Sequence, residues 1–98
     1  MRVVYHPDAE AELLEAARFY QRRVSGLGRR FLQEFDATIS AIRNAPERWP
    51  VVEDDLRCYV MRRFPYAVYY RQEGDDLRIL VVKHHSRHPD YWRYRLGE

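Results

Sequence analysis

Fifteen residues near the end of the chain, Val81 to Arg95 (VVKHHSRHPDYWRYR), hold three histidines, three arginines, a lysine, two tyrosines and a tryptophan directly after an apolar run. Side chains of these types can do several kinds of chemistry. Histidine moves a proton near neutral pH. Arginine grips a phosphate or braces a developing phosphorane. Tyrosine donates to a phosphate or stacks on a base. The same segment also has a plainer reading, in which Tyr91 and Trp92 staple the tail onto a sheet and Arg93 and Arg95 stay in solvent, because large aromatics drive burial.

A metal set does not emerge from this spacing. Adjacent strand residues point to opposite faces, so His84 and His85 do not easily share one ion, and no Asp, Glu or Cys near His88 completes a tetrahedral set. The four glycines are scattered and make no phosphate-cradling loop. Ser86 has no triad spacing and reads as a strand-end turn residue. No cofactor is expected. A phosphate-binding surface or a metal-free nuclease remains, beside the structural reading.

The chain that must position these groups is short. At 98 residues it has room for one domain, residues 1–98, around one core. The net charge is only +2, but residues 1–56 carry eight Lys/Arg against ten Asp/Glu, and residues 57–98 carry nine against five. The basic half is the C-terminal half, and sixteen of the seventeen cationic residues are arginine. That composition suits a polyanion partner and a solvated surface equally well. The lone Cys58 makes no internal disulfide, and the N-terminus sustains no apolar run of signal-peptide or membrane-span length, so a cytoplasmic protein with no membrane partner is expected.

RVVYHP reads as a strand ended by Pro7, which suits a first helical position. Ala9, Leu13, Ala16, Ala17, Tyr20 and Val24 then recur at helical spacing, with Asp8, Glu10 and Glu12 near the positive end of the helix dipole. SGLG, residues 25–28, stops that helix. Leu27, Phe31, Phe35, Ile39 and Ile42 mark a second one, ended by NAPERWP, and so short a link predicts an antiparallel hairpin. From Arg57 the pattern becomes strands: RCYVMRRF, YAVYYRQ and DLRILVVKHH, with EGDD as a hairpin turn. Alternation puts Leu77, Ile79 and Val81 on one face of the last strand and Leu80 and Val82 on the other, so both faces should be covered. A short helical or irregular tail follows Pro89.

The order β-α-α-β-β-β, the segment RRFPYAVYY (62–70) and the segment VVKHHSRHPDYW (81–92) together resemble the RelE/ParE superfamily of bacterial type II toxins. The helix end FDATISAIRNAPERWP is similar to these toxins as well. The resemblance implies an α+β fold in which a helical hairpin packs on a small, mainly antiparallel sheet. It also implies a toxin of a toxin–antitoxin system, bound as a hetero-oligomer by a cognate antitoxin, often through a segment that folds onto the toxin. The RFPY and HPDYW runs look more like the ParE and plasmid-stabilisation side, which implies growth inhibition by stoichiometric binding of DNA gyrase.

Target-binding residues would then be Arg63, His85, Arg87 and Tyr91, and antitoxin-binding residues Leu13, Tyr20, Phe31 and Phe35. The RelE-like alternative is a metal-independent, ribosome-dependent mRNA endoribonuclease. There His85 would activate the ribose hydroxyl, Arg63 and Arg87 would hold the phosphate, and Tyr91 or a histidine would protonate the leaving oxygen. By the matching of the strands, one arginine of such nucleases falls at Ala67, which carries no charge. A third possibility is an inactive toxin-like domain that only regulates its antitoxin.

Overall fold

The computed structural model describes residues 1–98. The chain runs β1 (Arg2–Tyr5), α1 (Pro7–Arg23), α2 (Leu27–Asn44), β2 (Val51–Glu53), β3 (Leu56–Val60), β4 (Tyr66–Glu73), β5 (Asp76–His84) and a short 3-10 helix, Arg93–Gly97. The sheet order is β1-β5-β4-β3-β2, with β1 parallel to β5 and every other pair antiparallel. The fold is the expected α+β arrangement of two helices on one face of a mixed sheet.

Strand β2 goes beyond the expectation. Its three residues are too short to show a period, and Val51 and Val52 are exposed at the sheet edge. The strand expected from Arg57 to Phe64 ends at Val60. Met61 is buried and donates its N–H to the Tyr66 carbonyl at 2.9 Å, so Arg62 to Pro65 become the turn into β4.

Local chemistry explains the joints. Pro7 opens α1, and the His6 ring caps it by accepting the Asp8 N–H at 3.0 Å. The helices approach closely at Gly28, where an added Cβ would lie 2.6 Å from the Ala17 carbonyl oxygen. Gly74 takes φ +60° at the first central position of the β4–β5 hairpin, as a type II′ turn requires. The loop between α2 and β2 is tied down by the Tyr70 hydroxyl, which donates to the Pro46 carbonyl at 2.7 Å, and by Arg57, which donates to the carbonyls of Glu47 and Trp49.

Between helices and sheet lies the main core, with Ala9 and Ala16 of α1, Phe31, Phe35 and Ile42 of α2, and Val68, Tyr70, Leu77, Ile79 and Val82 of the sheet. On the sheet's other face, Leu56, Leu80 and Val81 are covered by Trp92 from the tail. Strict alternation along β5 is therefore broken. The register with β4 shifts between Tyr69 and Tyr70, whose partners are Val81 and Ile79, which leaves Leu80 as an extra residue. This bulge puts Leu80 and Val81 on the same face and turns Val82 toward the helices, the reverse of the expected placement of Val81 and Val82.

The tail is fixed by one carboxylate. Glu12 accepts the Val82 N–H at 3.0 Å, two N–H groups of Arg95 at 2.8 and 2.9 Å, and the Tyr91 hydroxyl. Arg95 also donates to the Leu80 carbonyl at 3.1 Å. Tyr94 donates to Asp8, and the Glu98 carboxylate lies 2.5 Å from His6 Nε2. Arg95 is thus buried, contrary to its expected place in solvent: its side chain is 3% exposed and that of Glu12 13%. Arg93 is half-exposed and pairs with Glu53 at 2.7 Å. Removing one partner of a buried pair strands the other charge, so Glu12→Ala should lower unfolding stability by about 3–5 kcal/mol. Arg93→Ala should leave the denaturant midpoint near that of the wild type, because an exposed pair contributes little.

Candidate functional site

Three of the four histidines do the same local job. His6, His84 and His88 each accept, through Nδ1, the backbone N–H two residues on, from Asp8, Ser86 and Asp90, at 3.0, 3.0 and 3.1 Å. These rings shape turns in the way that an Asx side chain does. The Ser86 hydroxyl lies 2.8 Å from the same His84 nitrogen, as part of that turn. Burial, and then the neighbouring His85 and Lys83, hold the His84 pKa below its ordinary value. No three of the chain's His, Cys, Asp and Glu side chains converge on a point where an ion would sit.

Arg87 and Tyr91 are brought together. The Arg87 guanidinium lies 3.8 Å from the centre of the Tyr91 ring, a close cation–π contact. Burial, and then the bond to Glu12, raise the Tyr91 pKa, so its proton stays on the hydroxyl and points into the clamp. Exposed Arg87 lines a cleft of about 450 Å³ with Glu12, Glu15, Phe19, Tyr66 and His84. His85 is exposed at the same end of the sheet, with its N–H bonded to the Pro65 carbonyl at 2.9 Å.

Arg63 is elsewhere. It sits in the β3–β4 turn, where its N–H is accepted by Glu34 at 3.1 Å, and lines a separate cleft of about 850 Å³ against α2. Tyr20, Phe64 and Tyr66 stand between the two clefts, with ring centres 4.9 Å (Tyr20–Phe64) and 6.2 Å (Tyr20–Tyr66) apart.

Of the residues expected to meet an antitoxin, Leu13 and Tyr20 are half-buried. Phe31 and Phe35 are at most 1% exposed and belong to the core, so they offer a partner no surface. The large apolar side chains that α1 and α2 do expose are Leu14, Phe19 and Leu32.

Reading the sequence missed Glu12 and Arg95. Glu12 stands three residues after Ala9 and four before Ala16, both buried, so an acid on the apolar stripe was its available signal. Lys83 was also missed. It is the cross-strand partner of Ala67, but it is buried and donates to the His84 carbonyl at 3.2 Å.

A sequence-family profile described as "ParE toxin of type II toxin-antitoxin system, parDE" matches residues 3–89. The chain belongs to the ParE toxin family. No curated protein matches it in sequence. Among solved structures it is similar to a chain of the "Chromosomal ParDE TA system from P. aeruginosa", at 17% identity and a TM-score of 0.72, over 86% of this chain and 95% of that one. At that identity the likeness speaks for the fold, which this ParE chain shares. No helix of the ParE chain is long and apolar enough to cross a membrane.

Burial makes the native ParE chain sensitive to alkali. The Tyr66 and Tyr70 hydroxyls are pushed up to about 12 by burial, and Tyr91 is also raised. Unfolded tyrosines ionise near pH 10. The native state therefore holds its tyrosine protons longer, and their stabilisation is complete below about pH 10 and lost as pH rises toward about 12. Denaturant melts followed by tyrosinate absorbance should show stability falling across that window. The Cys58 thiol, raised to about 11 by burial, should react with a disulfide reagent at mildly alkaline pH far more slowly in the native than in the unfolded chain.

Proposed function

We propose that this ParE-family toxin is a cytoplasmic, stoichiometric inhibitor of DNA gyrase, neutralised in a complex with a cognate antitoxin. The observation that carries the reading is the division of the candidate catalytic parts. In-line cleavage of RNA without a metal needs cations and a proton donor around one phosphate, and losing one such donor typically reduces the rate by about a hundred- to a thousandfold. Here Arg63 and Arg87 line different clefts, the Tyr91 proton is engaged by Glu12, and Lys83 beside Ala67 is buried.

What stands ready is a binding edge. Arg87 is exposed yet oriented by the Tyr91 ring, which the clamp in turn holds, with His85 beside it. A charged anchor pre-organised on a fixed aromatic suits recognition. The antitoxin is proposed to cover the exposed apolar side chains of the helical hairpin and the β2 edge, where Val51 and Val52 lie open. The P. aeruginosa relative is described as part of a ParDE toxin–antitoxin system, in keeping with such a partner.

Two assays on one preparation test the target: gyrase supercoiling, and primer extension on translating mRNA. Inhibited supercoiling with intact mRNA is expected. Codon-linked cuts with undisturbed supercoiling would make the ribonuclease the better account. Arg87→Ala should keep the wild-type melting behaviour and raise the concentration needed for inhibition about tenfold or more. Arg95→Ala should lose activity only together with stability.

A further inference from the structure

The larger cleft carries a net positive charge that its one acid offsets only in part. It runs along α2 beneath the β3–β4 turn and is rimmed by Arg30, Arg62 and Arg63. None of these three lies within ion-pair distance of a carboxylate; arginines elsewhere, such as Arg29, Arg43 and Arg87, share that state, but here three of them line one cleft. Glu34 is the one acid lining the cleft, and it is already engaged with the Arg63 N–H at 3.1 Å. Between the cations lie apolar surfaces of Leu27, Tyr20, Phe64 and Ala37.

We propose that this cleft is the seat of an acidic segment of the antitoxin, with one apolar anchor side chain on the floor and flanking carboxylates on Arg30, Arg62 and Arg63. This deepens the preceding reading and rests on it. Length and chemistry both support such an occupant. From Leu27 to Thr38 the α2 wall is about 16 Å long, at about 1.5 Å per helical residue. That accommodates roughly five residues of extended peptide at about 3.3 Å each.

A nucleic-acid strand fits less well. The aromatic rings offer few open faces for bases, since Tyr20 packs against Phe31 at 5.5 Å and Phe64 at 4.9 Å, and Phe31 against Phe64 at 5.1 Å. The cations of the rim steer and select the partner, and the apolar floor holds it.

The test uses the full-length toxin and the full-length protein encoded beside it, with affinity measured at low and moderate salt. The double variant Arg62→Glu/Arg63→Glu should weaken the complex about a hundredfold and flatten its salt dependence. Arg43→Glu, an exposed arginine on α2 outside the cleft, should stay within about twofold. Lysine in place of the partner's acidic residues should restore binding to the double variant and weaken it to the wild type. If the double variant fails to fold, Arg62→Gln/Arg63→Gln decides, with about a tenfold loss expected.

A complex that survives both double variants overturns the cleft assignment and leaves the toxin–antitoxin reading standing. Failure of the wild-type chain to bind the neighbouring protein at all overturns that reading and this one with it. Protection of the cleft arginines by a single-stranded oligonucleotide, with no protection by the partner protein, also overturns the assignment.

Discussion

The ion pair between Glu12 and Arg95 is the constraint on which the rest of the molecule turns. Strand β5 is longer than β1, whose last partner on it is Ile79. Beyond that point the Val82 N–H and the Leu80 carbonyl have no strand beside them, and backbone groups buried without partners destabilise a fold. Glu12 accepts the Val82 N–H and Arg95 donates to the Leu80 carbonyl, so two side chains stand in for the missing length of β1. Their mutual bonds keep both charges satisfied in a site that would otherwise disfavour them. Burial opposes the Arg95 charge, but its bonds to Glu12 and Tyr94 hold the guanidinium pKa above its ordinary value.

From this pair the roles of the tail follow. With Arg95 inside, Tyr91 and Trp92 are pulled across the sheet, and Trp92 closes the second core over Leu56, Leu80 and Val81. Arg87 then finds a fixed ring to stack on. The cluster of reactive side chains between Val81 and Arg95 is mostly architecture: two histidines shape turns, one arginine completes a strand edge and one pairs across to Glu53. That leaves Arg87 as the exposed arginine of the segment that no carboxylate pairs.

Elements with a strong local cause were legible in the sequence. The helices announce themselves through Pro7, the glycine-rich link and two apolar stripes, and the β4–β5 hairpin through Gly74. The tail staple of Trp92 was also foreseeable from aromatic burial. What escaped depends on tertiary placement. Nothing near Leu80 marks a bulge, because every residue around it is apolar and either face would accept it. Arg95 reads as solvent-facing until β5 is seen to outrun β1. Phe31 and Phe35 look like docking residues or core residues by the same periodicity, and only the sheet beneath them decides. The separation of Arg63 from Arg87 depends on where β3 ends, which Pro65 hints at without fixing.

The parallel register that joins Arg2 to Asp76 and Tyr5 to Ile79 also dictates an order of events. During synthesis the helical hairpin can close locally, but β1 has no neighbour until β5 exists, and β5 lies between β1 and β4. The first strand waits for the last. Contacts so distant along the chain slow folding and leave apolar helix faces uncovered in the interval. A nascent chain halted before Asp76 has no partner for β1 and lacks the strand that joins β1 to β4, so this topology withholds the finished surface until nearly every element has been made.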